Sequence, residues 1–123
     1  MSEKSVAERL QVKNGRSLAI ISAPKELDAA IGEHHLRAEP FDADVVLLFV
    51  RDRAALETEV PGLLPTLKPT AIFWLGYPKQ SSRLASDLSR DGIRAAAPAY
   101  GLDTVSQIAV DEDWSALRLK QVR

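Results

Sequence analysis

The chain has 123 residues, with 16 lysines and arginines against 17 aspartates and glutamates and a formal net charge of −1. That length fits one domain over residues 1–123 with room for a real core. The balanced charge removes the global basic surplus that would point to nucleic acid, and the absence of cysteine removes disulfides, thiol catalysis and thiolate metal sites.

The chain opens without the apolar stretch of a signal peptide. No apolar run approaches the roughly 20 residues of a membrane span. A soluble, cytoplasmic protein is expected. Ser5-Val6-Ala7-Glu8 has the spacing of a capping box and predicts a short helix to about Gln11, burying Val6 and Leu10. Lys13-Asn14-Gly15-Arg16 is a turn. Residues 17–23 form a first strand centred on Leu18, Ile20 and Ile21, and Pro24 ends it. A short helix over 25–31 buries Leu27, Ala30 and Ile31, with Gly32 as its stop. Residues 35–38 fit a short edge strand.

Residues 45–50, Val-Val-Leu-Leu-Phe-Val, form the cleanest buried strand in the chain. Asp52 caps the next helix, where Leu56, Val60, Leu63, Leu64 and Leu67 keep helical spacing. Pro61 interrupts that pattern and predicts a kink or a second helix starting there. Residues 71–75 form an apolar run with no polar alternation, as in a strand covered on both faces. That strand should stop at Tyr77, before Pro78. Ser81 or Ser82 then caps a helix over 83–89, with Leu84 and Leu88 on one face and Asp87 spaced to pair with Arg83 or Arg90. Residues 91–97 either continue that helix or begin another, and 98–101 end it. Residues 105–110 form a strand, and Asp111-Glu112-Asp113 is an acidic turn. The last strand spans 114–122, where Leu117 and Leu119 alternate with Arg118 and Lys120 as on an edge with one wet face. The short turn makes the final pair an antiparallel hairpin.

Alternating strands and helices predict a three-layer, Rossmann-like α/β domain with a mostly parallel sheet and a C-terminal antiparallel hairpin. The expected strand order runs from the first strand to 45–50, then 71–77, then the last strand, then 105–110.

The later half resembles the S-adenosylmethionine methyltransferases: buried strand, helix, Leu67-Lys68-Pro69, strand, helix, antiparallel hairpin. The resemblance implies a truncated form of that fold. Methyltransferases carry a glycine-rich turn after the first strand. This chain has Ser22-Ala23-Pro24-Lys25-Glu26 there, so no cofactor is expected, and Glu39, at the position of a ribose-binding acid, reads as a surface residue. The chain also resembles, over nearly its whole length, a bacterial family of unknown function (family 3052). The segments that carry this are Ala7-Glu8-Arg9-Leu10, residues 44–50, Tyr77-Pro78-Lys79-Gln80-Ser81-Ser82, Ser86-Asp87-Leu88-Ser89-Arg90-Asp91 and Asp111-Glu112-Asp113-Trp114-Ser115-Ala116-Leu117. That resemblance implies fold and motif boundaries and no reaction.

For function, ligands of open α/β sheets bind outside the carboxyl ends of strands. Lys25, Arg51, Arg53 and Lys79 follow strand ends, and Ser81 and Ser82 sit at the expected helix start, which suits an anion such as phosphate, nucleotide or carboxylate. The plainer reading of the same residues is a capped helix among solvated charges. His34 and His35 are adjacent and would face opposite ways on a strand, so no metal site is expected. Ser81 lacks the flanking glycines of a hydrolase elbow. Trp74 reads as core and Trp114 as an aromatic that seals the core. Two functions follow. One is a non-enzymatic binding or interaction module with a small anionic ligand, open to self-association or a protein partner. The other is an enzyme on a small anionic substrate, with Lys79 stabilising charge and the catalytic residues unassigned.

Overall fold

Five strands build one sheet in the computed structural model, which describes residues 5–13, 15–32 and 35–122. They are β1 (Leu18–Ile21), β2 (Val45–Phe49), β3 (Ile72–Pro78), β4 (Leu102–Ala109) and β5 (Trp114–Gln121). Their order across the sheet is β1-β2-β3-β5-β4, as the sequence predicts. β1 pairs with β2 and β2 with β3 in parallel, while β3–β5 and β5–β4 are antiparallel. The sheet is therefore evenly mixed and not mostly parallel. The cause is the short acidic turn, which folds β5 back so that it inserts between β3 and β4. β5 is consequently an inner strand with its first four residues buried, and β4 takes the edge.

The unalternating strands are covered on both sides. All five residues of β2 are buried. One face carries Val46, Leu48, Phe73, Leu75 and Leu117 against α3 (Arg53–Leu63) and α4 (Arg90–Ala96), through Leu56, Val60 and Ile93. The other carries Leu18, Val45, Leu47, Trp74 and Ala116 against α1 (Val6–Arg9) and α2 (Lys25–Gly32), through Ala7, Leu10 and Ile31. Trp74 is 1% exposed, and its indole N–H donates to the Leu10 carbonyl at 3.0 Å, which ties α1 to the sheet. Trp114 is also buried, edge-on to Phe49 with ring centroids 5.1 Å apart. In the short helices, Ala7 is buried where Val6 was expected to be, and Ala30 is exposed.

Local signals set most boundaries. The capping box at Ser5 and Glu8 forms, and Asp52 accepts the Ala55 amide at 2.9 Å. Residues 35–38 contribute one bridge, Arg37 to Leu18, in place of a strand. α3 runs through Pro61 and gives way three residues later to a 3-10 turn at Leu64–Thr66. No second α-helix starts at the proline, because burial of Leu56 and Val60 on the sheet holds the segment helical across the missing N–H. The helix expected over 83–89 is absent. Residues 79–89 form a chain of turns, and α4 starts at Arg90 with Ser89 as its cap. Side chains there compete for the backbone: Ser82 Oγ accepts the Leu84 amide and Ser86 Oγ accepts the Leu88 amide. Leu84 is 42% exposed, so no apolar face rewards a helix.

Candidate functional site

Parallel pairing of β1, β2 and β3 brings their carboxyl ends to one rim. Lys25 opens α2 after β1, and Arg51 and Lys79 lie in the connections that follow β2 and β3. Arg53 opens α3, and its guanidinium Nε lies 3.1 Å from Glu57. Its amide is taken as well, donating to Asp87 at 2.8 Å. Asp87 therefore caps α3 from a distant loop and does not pair along a helix. With Asp52 on the Ala55 amide, two carboxylates already occupy the positive end of α3.

The turn after β3 is equally self-contained. The Lys79 amide donates to the Asp113 carbonyl at 2.8 Å. The Ser82 hydroxyl donates to the Asp113 carboxylate at 2.7 Å. The Gln80 side-chain amide donates to the carbonyl of Leu88. Ser82 thus fastens its loop to the acidic turn before β5, and Ser81 stays exposed. Without a helix here, the amide donors and dipole expected behind Ser81 and Ser82 are missing; what the turn presents is Lys79 and Ser81.

At the end of β1, Ser22 has φ 62°, a left-handed backbone that a serine rarely takes. Its hydroxyl approaches Glu59 at 3.4 Å. Beside it, Ile21, Ser22, Arg37, Glu39 and Pro40 line an open cleft of about 680 Å³. Glu39 is exposed. The turn keeps the backbone shape that a glycine would give but not the bare surface, since Ser22 carries a side chain and Pro24 has no amide hydrogen. These residues do not fit a nucleoside cofactor held by backbone amides in the usual way.

Two side chains have displaced pKa values. The Tyr77 hydroxyl, near the rim, is pushed up by burial, with Arg90 pulling against that. Asp44 lies at the other end of the sheet. Its carboxyl is lowered from 3.8 to about 2, first by the Lys68 ammonium at 2.8 Å and then by the Ser17 amide at 3.0 Å. Sequence reasoning missed this cluster. Its signal was an acid directly before a buried strand, with serine and lysine before the two neighbouring strands. His34 lies outside the described residues. His35 is half-buried, and among the described residues no three metal-ligating side chains come together.

Comparison with known proteins places the chain. Residues 22–123 match the family described as "Protein of unknown function (DUF3052)", and the chain belongs to that family. No curated protein matches it. Among solved structures it is similar to a SAM dependent methyltransferase from Aquifex aeolicus, with TM-score 0.63 and 12% identity over 93% of this chain and 86% of that one. It is also similar to a ribosomal protein L11 methylase from Lactobacillus delbrueckii subsp. bulgaricus, with TM-score 0.61 and 11% identity over 95% and 75%. A third likeness is to the B. subtilis M1A22 tRNA methyltransferase TrmK, with TM-score 0.54 and 12% identity over 97% and 68%. Together they show a methyltransferase-like α/β fold. At such identities they show the fold alone.

Proposed function

We propose that this member of the DUF3052 family is a non-enzymatic binding module on a three-layer methyltransferase-like scaffold, taking a small anionic ligand at the carboxyl rim. One observation carries the reading. Three adjacent parallel strands deliver Lys25, Arg51 and Lys79 to one rim, and among the described residues no ion pair within 4.0 Å engages any of the three. Ser81 adds an exposed hydroxyl beside Lys79, whereas Ser82 and Arg53 serve the loop and α3. Binding without chemistry suits a rim where three of the acids serve structure: Asp52 and Asp87 cap α3, and Asp113 holds Ser82. The module acts as one cytoplasmic domain, and any self-association would use the β4 edge.

The test is a thermal-shift panel of phosphate, sulfate, nucleotides, phosphosugars, carboxylates and S-adenosylmethionine, run on wild type, Lys79→Ala and Arg51→Ala. A ligand at a hundred times its dissociation constant stabilises by about 2.7 kcal/mol. The expected result is a shift of several degrees with an anion that both variants lose. A shift with S-adenosylmethionine alone, kept in Lys79→Ala and lost in Glu39→Ala, would move the site to the β1 cleft and overturn this reading. No shift in a cooperatively melting protein would also sink it.

A further inference from the structure

The two outer strands of the sheet are closed to different degrees. β1 is four residues long and already carries a neighbour. The Leu18 amide donates to the Leu36 carbonyl at 2.8 Å, and the Ala38 amide donates to the Leu18 carbonyl at 3.1 Å. On the other side, β4 runs eight residues and pairs only with β5. Exposed edges are commonly kept short or blunted by lysine or proline. β4, Leu-Asp-Thr-Val-Ser-Gln-Ile-Ala, has neither residue. Its one charge, Asp103, lies opposite Lys120 in the register. Val105 is 52% exposed, and Ser106 and Gln107 are exposed beside it.

The register fixes which main-chain groups of β4 are engaged. Just outside its two ends, the Val122 amide donates to the Gly101 carbonyl at 2.8 Å and the Val110 amide to the Trp114 carbonyl at 2.9 Å. Along an antiparallel ladder, residues alternate between bonding the partner and facing away from it. Counted from Gly101, Asp103 bonds β5 while Leu102 and Thr104 face away. Counted from Val110, Ile108 and Ser106 bond β5 while Gln107 and Ala109 face away. The two counts meet at Val105, where the register shifts between Thr104 and Ser106. Four residues thus aim amides and carbonyls outward, and among the described residues no turn or loop main chain bonds them.

That edge is complementary to itself. Only one antiparallel register pairs all four residues with a second copy: Leu102 against Ala109 and Thr104 against Gln107, each twice about a two-fold axis. The axis passes between Val105 and Ser106. The bulge would spoil pairing with a regular strand, but here it lies on the axis in both chains and meets its own image. Asp103 falls opposite Ile108 of the second copy, so no like charges face each other. The exposed Val105 of each chain stands beside the axis, within reach of its own copy.

We propose that β4 is a self-recognition edge, to which a second copy of this chain adds its own β4 in that register, joining two sheets into one. This gives the edge its occupant and stands whether or not the carboxyl rim binds an anion.

The experiment is sedimentation velocity of the whole chain over roughly a hundredfold range of concentration, because a dimer responds to mass action. Hydrogen exchange is read residue by residue at both extremes. The expected result is a concentration-dependent dimer in which the Thr104 and Gln107 amides gain about tenfold protection and β1 gains none. Gln107→Pro removes an outward amide without touching the β4–β5 ladder and should leave a monomer. Val105→Lys and Val105→Glu each set two like charges at the axis and should do the same, while an equal mixture of the two should dimerise again. These substitutions are at an exposed position, so they decide the matter if the proline variant does not fold. A monomer at every concentration would overturn the proposal and leave the edge to a strand of another protein. A dimer that both charge variants keep, or whose protection falls on residues 18–21, would overturn it too. So would a mixture that stays monomeric, since Val105 would then lie away from the axis.

Discussion

The two ends of β3 are built on different terms. At the carboxyl end Gly76 sits against the ring of its register partner Phe49; a Cβ added there would meet the ring at 2.9 Å. Phe49 cannot yield easily, because it is buried and Trp114 packs edge-on with it. Beyond that packing, the loops close on themselves through Ser82, Gln80, Asp87 and Asp113. At the amino end, the starts of three strands are joined by one charged cluster, Ser17, Asp44 and Lys68, and a cavity opens next to it. The difference teaches that strand ends do not carry equal functional weight in a reduced α/β fold. At the rim where such folds usually bind ligands, Ser82, Asp52, Asp87 and Asp113 are engaged, while among the described residues no ion pair holds Lys25, Arg51 or Lys79. The opposite end has the space.

Substitutions that strike one end and spare the other sharpen this contrast. The largest effect should come from Gly76→Ala, which overpacks the Phe49 ring and is expected to destabilise by roughly 2–3 kcal/mol. Urea unfolding would show it as a lower midpoint; an unchanged midpoint would mean that the ring swings aside and the carboxyl end is loosely packed.

Asp44→Asn is expected to lose about 1 kcal/mol at neutral pH, a figure reduced for the carboxyl's 39% exposure. The sign follows from the lowered pKa. The Asp44 contribution is complete above the unfolded value of 3.8 and disappears as pH falls through about 2. Wild type and Asp44→Asn should therefore differ at pH 7 and converge near pH 2, as read by denaturant midpoints across that range. A difference that persists undiminished at pH 2 would rule out the ionised carboxylate as the clamp.

The smallest effect belongs to Ser82→Ala, about 0.5–1 kcal/mol, from the loss of the bond donated to the Asp113 carboxylate and the bond accepted from the Leu84 amide, both near the surface. Hydrogen exchange should quicken across 79–89 while β1 and β2 keep their protection. Slow exchange throughout would mean that the Lys79, Gln80 and Asp87 bonds hold the loop without Ser82.

Much of the fold was legible because its signals are local. Short unalternating runs at 45–50 and 71–75, bounded by turn residues, fit strands buried on both faces. Ser5 and Asp52 mark helix starts because their side chains accept amides three residues on. Gly32, expected as a stop, is instead the last residue of α2, without the left-handed backbone of a glycine cap. The pairing of the last two strands followed from the shortness of Asp111-Glu112-Asp113. Other features rest on partners distant in sequence. Ser82 looked like a helix cap because it follows a strand end and precedes Leu84 and Leu88 at helical spacing; Asp113, 31 residues on, took its hydroxyl. Asp87 looked like a helical ion-pair partner and instead caps α3, 34 residues back.

By itself, then, the sequence determined which segments are strands, their order and the cations that leave their carboxyl ends, because periodicity and capping act over a few residues. Tertiary structure decided which of those groups remain free. The insertion of β5 beside β3 brought Asp113 to Ser82, and the loop between β3 and α4 brought Asp87 to the start of α3. Whether a polar side chain is satisfied depends on the neighbours that folding supplies, and hydrogen bonds between elements leave no period in the chain.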